Sequence, residues 1–402
     1  MLKNNIKLLN NKLAIWPQVS FVPVVVPSSF TNELGQIRGL GSQKLPVIAV
    51  DHHPKALGFY SRYSIPFLVS DYKQNPEHFI KDLLLLGKEL LSLGKKGVLF
   101  LAGAEELLPI VNQYYTDLKE VFIFTSDVKK QFEYEDKWIQ YIRATEAGLI
   151  IAKVLLWDGL SVKGDLELLN YPVIIKARRG KQFYHLFKTQ AVQCASPNEV
   201  INFLEKCCGM DCLIQEEIVG PETGLFTLGC YMSKGCKPLG IFTGRKIRNN
   251  REYGSCAMAI SCDAPEISEQ GLRYLKTINY HGACEIEFKY DTQKSKFTFL
   301  EINNRLWKWH SLATACGVNL TYLQYLDAIG EPIDLTHEQQ IQGKRWWLAL
   351  MDSWIQSKRI LKQPKQYMNF LKSLRLNAIH GIGSWKDPLP GIINFFRFQW
   401  MV

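Results

Sequence analysis

The first 130 residues alternate short apolar runs with stretches of helical periodicity, and this rhythm constrains the fold more than any other feature. Phe21 to Val26, Pro46 to Val50, Val98 to Leu101 and Val121 to Phe124 read as buried strands, each a brief and nearly unbroken apolar run. Helical spacing is clearest from Pro76, where Phe79, Leu83, Leu86 and Leu90 share one face and Gly94 supplies a stop. Strands separated by helices pair in parallel, because the helix carries the chain back over the sheet. The pattern therefore predicts an α/β unit with a parallel sheet. The first connection, SSFTNELGQIRGLG, contains Gly35, Gly39 and Gly41 but not the spacing G-x-G-x-x-G, so no dinucleotide site is expected there.

Beyond residue 130 the rhythm changes. Asp136 to Gly148 reads as a capped helix, and Tyr171 to Lys176 (YPVIIK) as a buried strand ending in a lysine. Asn198 to Cys207 is helical and Leu213 to Glu217 extended. Thr223 to Ile260 is mostly extended with polar turns, which suggests an antiparallel meander. A helix carrying Leu272, Leu275 and Ile278 precedes a hairpin, Ala283 to Asn304, and two helices that reach Gly330. The remaining tail holds five of the ten tryptophans in a mixed helical pattern, and its Phe395, Phe396, Phe398 and Trp400 form no clean helical stripe. The expected units are 1–130, 131–330 (with lobes 131–210 and 211–330) and an extension, 331–402.

A 402-residue chain with 47% hydrophobic and 21% charged residues can bury cores without covalent staples. No apolar run is long enough to span a bilayer, and MLKNNIKLLNNK does not resemble a signal peptide, so a cytoplasmic protein without stable membrane insertion is expected. The ten cysteines lie between Cys194 and Cys316 with no C-x-x-C pair, which predicts reduced, mostly buried thiols. The net charge is +10, and ten basic against five acidic residues place half of it in the extension. No basic block looks like a nucleic-acid arm, so no nucleic-acid partner is expected. Aromatic and basic side chains together also suit a membrane surface, but a cover packed on the body is the expectation for the tail.

The hairpin GACEIEFKYDTQKSKFTFLEINNR is the most informative segment for chemistry. Pairing about its polar turn sets Glu287 opposite Glu301, on the same face of the sheet. Glu285 and Asn303, each two residues away, share that face, while Ile286, Phe288, Leu300 and Ile302 point into a core. Facing carboxylates repel, and a divalent cation removes the penalty. Oxygen ligands without His or Cys favour magnesium or manganese.

Other fragments fit a nucleotide. Lys176 ends an apolar strand, where it can serve a phosphate as a point charge. LIQEEIVGPETG is an apolar strand followed by a Gly-Pro break and Glu222; such a linker can offer backbone groups to an adenine edge and a carboxylate to ribose hydroxyls. The ordered set DK, YPVIIK, LIQEEIVGPE, GRKIR, EIEFKYD and FLEINNRLW resembles the ATP-grasp superfamily over about Phe21 to Gly330. The layout, together with SRYS at Ser61 to Ser64, RLWKWHSLATACGVNL and SWKDPLPGI, is most similar to carboxylate–amine ligases of the D-aspartate ligase type.

That resemblance implies an N-terminal Rossmann-like pre-ATP-grasp domain, an ATP-grasp fold of two α+β lobes that sandwich ATP, and a helical C-terminal extension. It implies that Lys137 and Lys176 bind the phosphates, that Gln215 faces the adenine amino group, that the Glu216 and Ile218 backbone holds the adenine edge, and that Glu222 holds the ribose. Glu287, Glu301 and Asn303 would hold Mg2+ (or Mn2+). Arg305 would meet the transferred phosphate or the substrate carboxylate, with Lys246 or Arg248 working from the other side. The stretch ARRGKQFYHLF stands where a small, Gly-rich lid is common; its Arg178, Arg179 and Lys181 add charge. The implied reaction joins a small-molecule carboxylate to an amine through an acyl phosphate. A non-catalytic ATP-binding regulator and an enzyme with another acceptor are the alternatives, and a homodimer stays open. His281 and His310 read as packing or hydrogen-bonding histidines. Trp307 and Trp309 suit either a substrate mouth or a core.

Overall fold

The computed structural model describes residues 2–397, apart from 104–105, 208, 252, 335–338, 359–363 and 374–377. Phe398 and Trp400 of the aromatic tail, and Cys208, therefore lie outside the described residues.

The first sheet contains β1 (Phe21–Val26), β2 (Val47–Asp51), β3 (Ser64–Leu68), β4 (Lys96–Leu101) and β5 (Phe122–Phe124) in the order β3-β2-β1-β4-β5. Every pairing in it is parallel, as the apolar runs and intervening helices require. β3 is the strand the sequence reading lacks: Pro66 interrupts SIPFL, and its apolar run is too short to stand out. Helix Pro76–Ser92 is capped by the Asn75 side chain and buries Phe79, Leu83, Leu86 and Leu90 against the sheet.

The second sheet is antiparallel, with β6 (Val154–Trp157), β7 (Val162–Lys163), β8 (Val173–Ala177), β9 (Ala191–Cys194) and β10 (Cys212–Glu216) in the order β7-β6-β10-β8-β9. β10 runs between β6 and β8, so this sheet extends past residue 210.

The third sheet has seven strands. They are β11 (Leu225–Met232), β12 (Pro238–Asn249), β13 (Cys256–Ser261), β14 (Gly282–Asp291), β15 (Lys296–Asn303), β16 (Arg345–Trp347) and β17 (Ile379–His380), in the order β15-β14-β11-β12-β13-β16-β17. One face packs on helix Pro265–Thr277 through Leu228, Ile286 and Phe288. On the other face lie Phe242, Trp307, Trp309 and helices Ser311–Ala315 and Leu320–Ile329. Trp307 and Trp309 are each 1% exposed, which makes them core residues rather than a substrate mouth. The nine described cysteines are free, and seven are buried.

The extension does more than cover the body. Its helices Ala349–Ser357, Pro364–Ser373 and Leu389–Arg397 fit the helical expectation, but β16 and β17 extend the third sheet beyond β13. It also reaches back to the first unit. The Asp387 carboxylate of SWKDPLPGI accepts from Ser61 Oγ at 2.9 Å, the Arg62 N–H at 2.8 Å and Arg38 Nε at 2.9 Å. Two sequence motifs, SRYS and SWKDPLPGI, thus meet at one buried carboxylate.

Candidate active site

The hairpin of β14 and β15 pairs Glu287 with Glu301 and Glu285 with Asn303. Four oxygen-bearing side chains therefore stand on one face, with Ile286 and Ile302 turned to the core behind them. The Thr227 hydroxyl donates to Glu285 Oε1 at 3.1 Å, and Asn303 Nδ2 donates to Glu285 Oε2 at 3.0 Å. That second bond occupies the Asn303 amide nitrogen and leaves its carbonyl oxygen as the atom that could face a ligand. Burial pushes the Glu285 carboxyl up to about 8, and the Glu287 charge adds to the shift.

Cations answer these acids. Lys246 Nζ donates to both Glu287 oxygens, at 2.9 and 2.8 Å. Burial alone would lower the Lys246 ammonium; Glu287 and Glu285 outweigh it and hold the group above its ordinary value. Lys137 Nζ lies 3.3 Å from Glu301 Oε2. Burial would raise Glu301, but Lys137, Lys176 and Lys246 together hold it down at about 2. Lys176, at the end of β8, donates to Tyr141 Oη at 2.8 Å, and burial lowers its ammonium to about 8. Such a lysine is poised between charge states and gains most from an anion.

Tyr141 is the residue that sequence reasoning missed. Its hydroxyl donates to Leu300 O at 2.6 Å and lies 3.2 Å from Gln215 Oε1, so one ring joins the helix, β15 and the floor of the second sheet. The available signal was spacing: Lys137 and Tyr141 stand four apart on one helix and so share a face.

The other expected residues separate. Gln215 is fully buried on β10, and its Nε2 has no protein partner, which leaves a donor for a ligand. The Glu216 N–H is engaged by Lys153 O at 2.9 Å and its carboxylate by Asn170, so only its carbonyl suits an adenine edge. Ile218 is buried, whereas Glu222 begins a short exposed 3-10 turn. Arg305 sits beside Gly103, where an added Cβ would come within 3.4 Å of Arg305 Cδ, and so faces the edge of the first sheet.

Arg248 is not brought to the site. β12 pairs Lys246 with Ala259 but Arg248 with Met258, a β-bulge that puts the two side chains on opposite faces. Arg248 Nε instead donates to Asp352 Oδ1 at 2.9 Å, and Trp347 Nε1 donates to Asp352 Oδ2 at 2.8 Å. Arg178 and Arg179 are likewise engaged. Both bond Asp136, the cap of helix Lys137–Glu146, at 2.7 and 2.9 Å, and Arg178 also bonds Asp211. They anchor the lid stretch rather than present free charge. Beyond them, Gln182–Phe187 is a short helix, with Arg251 over the Tyr184 ring and His185 near Glu106 of the first unit. His310 is buried against Trp307 O, and His281 faces Asp327 at 3.9 Å, so neither histidine joins the site.

Among the described residues no group of three or more His, Cys, Asp or Glu is arranged to hold a metal. Two opposed carboxylates and an amide oxygen nevertheless fit magnesium, which typically takes one or two carboxylates together with substrate phosphates.

The sequence and the fold are each similar to those of known proteins. The model of the carbamoyl-phosphate synthase L chain ATP-binding domain matches residues 261–336. D-aspartate ligase of Enterococcus faecium is 22% identical over 276 residues, 65% of each chain. Acetyl-CoA carboxylase of Schizosaccharomyces pombe is 24% identical over 220 residues, 50% of this chain and 8% of that one. The chain thus spans less than two thirds of the length of either curated relative. The fold is similar to N5-carboxyaminoimidazole synthetase of Staphylococcus aureus, with a TM-score of 0.62 and 12% identity over 89% of this chain and 90% of that one. It is also similar to the biotin carboxylase domain of Hydrogenobacter thermophilus 2-oxoglutarate carboxylase, solved with MgADP, ADP and bicarbonate; the TM-score is 0.59 and the identity 18%, over 80% of this chain and 72% of that one. The chain therefore shares its fold with these structures, and residues 261–336 match an ATP-binding domain.

Proposed function

We propose that the chain is an ATP-dependent ligase that joins a carboxylate to an amine, with an amino acid or small peptide-like molecule as substrate. The observation that carries this reading is the convergence of Glu287, Glu301 and Asn303 with Lys137, Lys176 and Lys246 on one face between two sheets. Acids in that arrangement hold a divalent cation, and lysines beside them hold phosphate oxygens. The relatives solved with ADP support ATP as the co-substrate.

Each residue then has a task. Lys137 and Lys176 bind the phosphates of ATP, and Lys176 becomes fully charged as it does so. Gln215 Nε2 and the Glu216 and Ile218 backbone hold the adenine, and Glu222 holds the ribose. Glu287, Glu301 and Asn303 hold Mg2+ or Mn2+, which supplies charge neutralisation on the phosphates when bound. Lys246 and Arg305 neutralise charge on the γ-phosphoryl group and orient the carboxylate; Arg248 takes no part.

A carboxylate oxygen attacks the γ-phosphorus, the bond to the bridging oxygen breaks, and ADP leaves with its electron pair. The resulting acyl phosphate is attacked by the amine nitrogen, which loses a proton as phosphate departs and the amide forms. This coupling explains the need for ATP, since a free carboxylate is a poor acyl donor. The protein's part is alignment and electrostatics.

The test is Mg-ATP-dependent phosphate release against amino acids offered singly and in pairs, with hydroxylamine as a trap for the acyl phosphate. Release that needs both a carboxylate and an amine, and is lost in Glu301→Gln, supports the ligase. Nucleotide binding with no release for any pair would instead favour an ATP-binding regulator.

A further inference from the structure

The outer surface of the extension carries a cluster that the ligase reading does not use. Trp385 is fully exposed in the turn before helix Leu389–Arg397. On that helix Leu389, Ile392 and Phe396 are 46%, 48% and 74% exposed. Their spacing, three and then four residues, aligns them on one face. Scattered exposed apolar residues need no explanation, but a fully exposed tryptophan four residues ahead of a helical stripe of large aliphatic and aromatic side chains does.

The charge around the stripe is one-sided. Between Ala378 and Arg397 the chain has one acid, Asp387, and it is buried and bonded inward to Arg38, Ser61 and Arg62. Lys386 and Arg62 are exposed beside Trp385, and Arg62 Nη1 lies 3.4 Å from Lys386 O. What faces solvent here is therefore apolar and positive. Protein–protein interface cores are depleted in lysine, whereas bilayer interfaces favour an indole flanked by cations. Among the described residues no helix is long and apolar enough to cross a membrane.

We propose that this face docks on an anionic lipid bilayer, with helix Leu389–Arg397 lying in the interface plane, Trp385 and Phe396 among the headgroups and upper acyl chains, and Lys386 and Arg62 on lipid phosphates. Docking of this kind is peripheral and reversible. It brings the site to a membrane without altering the chemistry at the β14–β15 hairpin.

The experiment is sedimentation of the full chain with vesicles of phosphatidylcholine alone, or with about one third phosphatidylglycerol. The chain is expected to pellet with the anionic vesicles and to be released as salt is raised from about 0.05 to about 0.5 M. Trp385→Ser with Phe396→Ser should weaken partitioning at least about tenfold. Circular dichroism and ATP binding should be unchanged, because both side chains face solvent. Lys386→Glu should weaken only the salt-sensitive part. A chain that stays in the supernatant with both vesicles, or pellets equally with both, overturns the proposal. So does a double variant that binds like the parent. A fall in solution mass in the double variant would assign the stripe to a second copy of the chain and overturn bilayer docking as well.

Discussion

Strands β14–β15 and β12 present polar side chains to the same sheet, yet they obey different rules. In the hairpin, strict alternation carries Glu285, Glu287, Glu301 and Asn303 to one face, and the register pairs them as the spacing requires. The bulge there falls after Glu287, past the acids. In β12 the bulge falls between the two residues of interest, so Lys246 meets Glu287 while Arg248 turns away to Asp352. Two cations two residues apart in sequence thus serve different ends: one belongs to the site, the other fastens the extension. Alternation is a reliable guide to a face only as far as the next bulge.

Substitution of these two cations separates their roles most sharply. Lys246→Met should reduce phosphate release about 10²–10³-fold, the usual cost of losing one group that stabilises transition-state charge. Its thermal unfolding should be little changed once Mg-ATP is present. Arg248→Met leaves the buried Asp352 carboxylate without its guanidinium and should cost about 3–5 kcal/mol of stability, read from denaturant midpoints. The activity of the molecules that remain folded should persist. If Arg248→Met lost turnover at full stability, the division between the two faces would fail.

A smaller effect tests the rigidity behind the hairpin. A Cβ added at Gly229 on β11 would fall 1.9 Å from the Trp307 ring. Gly229→Ala should therefore destabilise by about 1–3 kcal/mol, measured by urea unfolding. An unchanged midpoint would mean that the ring moves freely.

Glu33 extends the comparison to the first unit. It is fully buried, and burial raises its carboxyl to about 8, although the backbone N–H groups of Glu33 and Phe30 pull the other way. The folded state therefore keeps this proton while the unfolded chain loses it near the ordinary value of 4.5. The resulting contribution is fully present below about 4.5 and declines as pH rises toward about 8, by up to about 1.4 kcal/mol per pH unit. Glu33→Gln should remove that slope from a series of unfolding curves; an identical slope in the variant would place the titration elsewhere.

The smallest change is expected at the lid. Arg251→Ala removes the cation over Tyr184 and should raise the KM for ATP about threefold, with kcat nearly constant.

Much of the fold was legible because apolar runs and helix stops are local. The parallel strands other than β3, helix Pro76–Ser92 and the acidic hairpin follow from patterns within a few residues. What was not legible depends on distant partners. β6, β7 and β9 are short and half-exposed, so their pairing rather than their composition makes them strands. The anchoring of Arg178 and Arg179 on Asp136 joins residues that no periodicity relates. Of the site, the acids and lysines could be found as motifs. Tyr141 could have been found only by asking what shares a helix face with Lys137, and the loss of Arg248 only from a bulge that leaves no mark in GRKIR.

The place of β16 bears on how the molecule is made. Arg345–Trp347 lies along β13, and β17 lies along β16, so the sheet that carries the acids is finished by strands near the end of the chain. During synthesis, β11 to β15 emerge with the backbone groups along β13 still bare. An exposed sheet edge of that kind invites pairing with other chains. The nascent second lobe must wait for residues 345–380 before that edge is covered, so a ribosome stalled before Arg345 would hold a complete set of acids on an unfinished sheet.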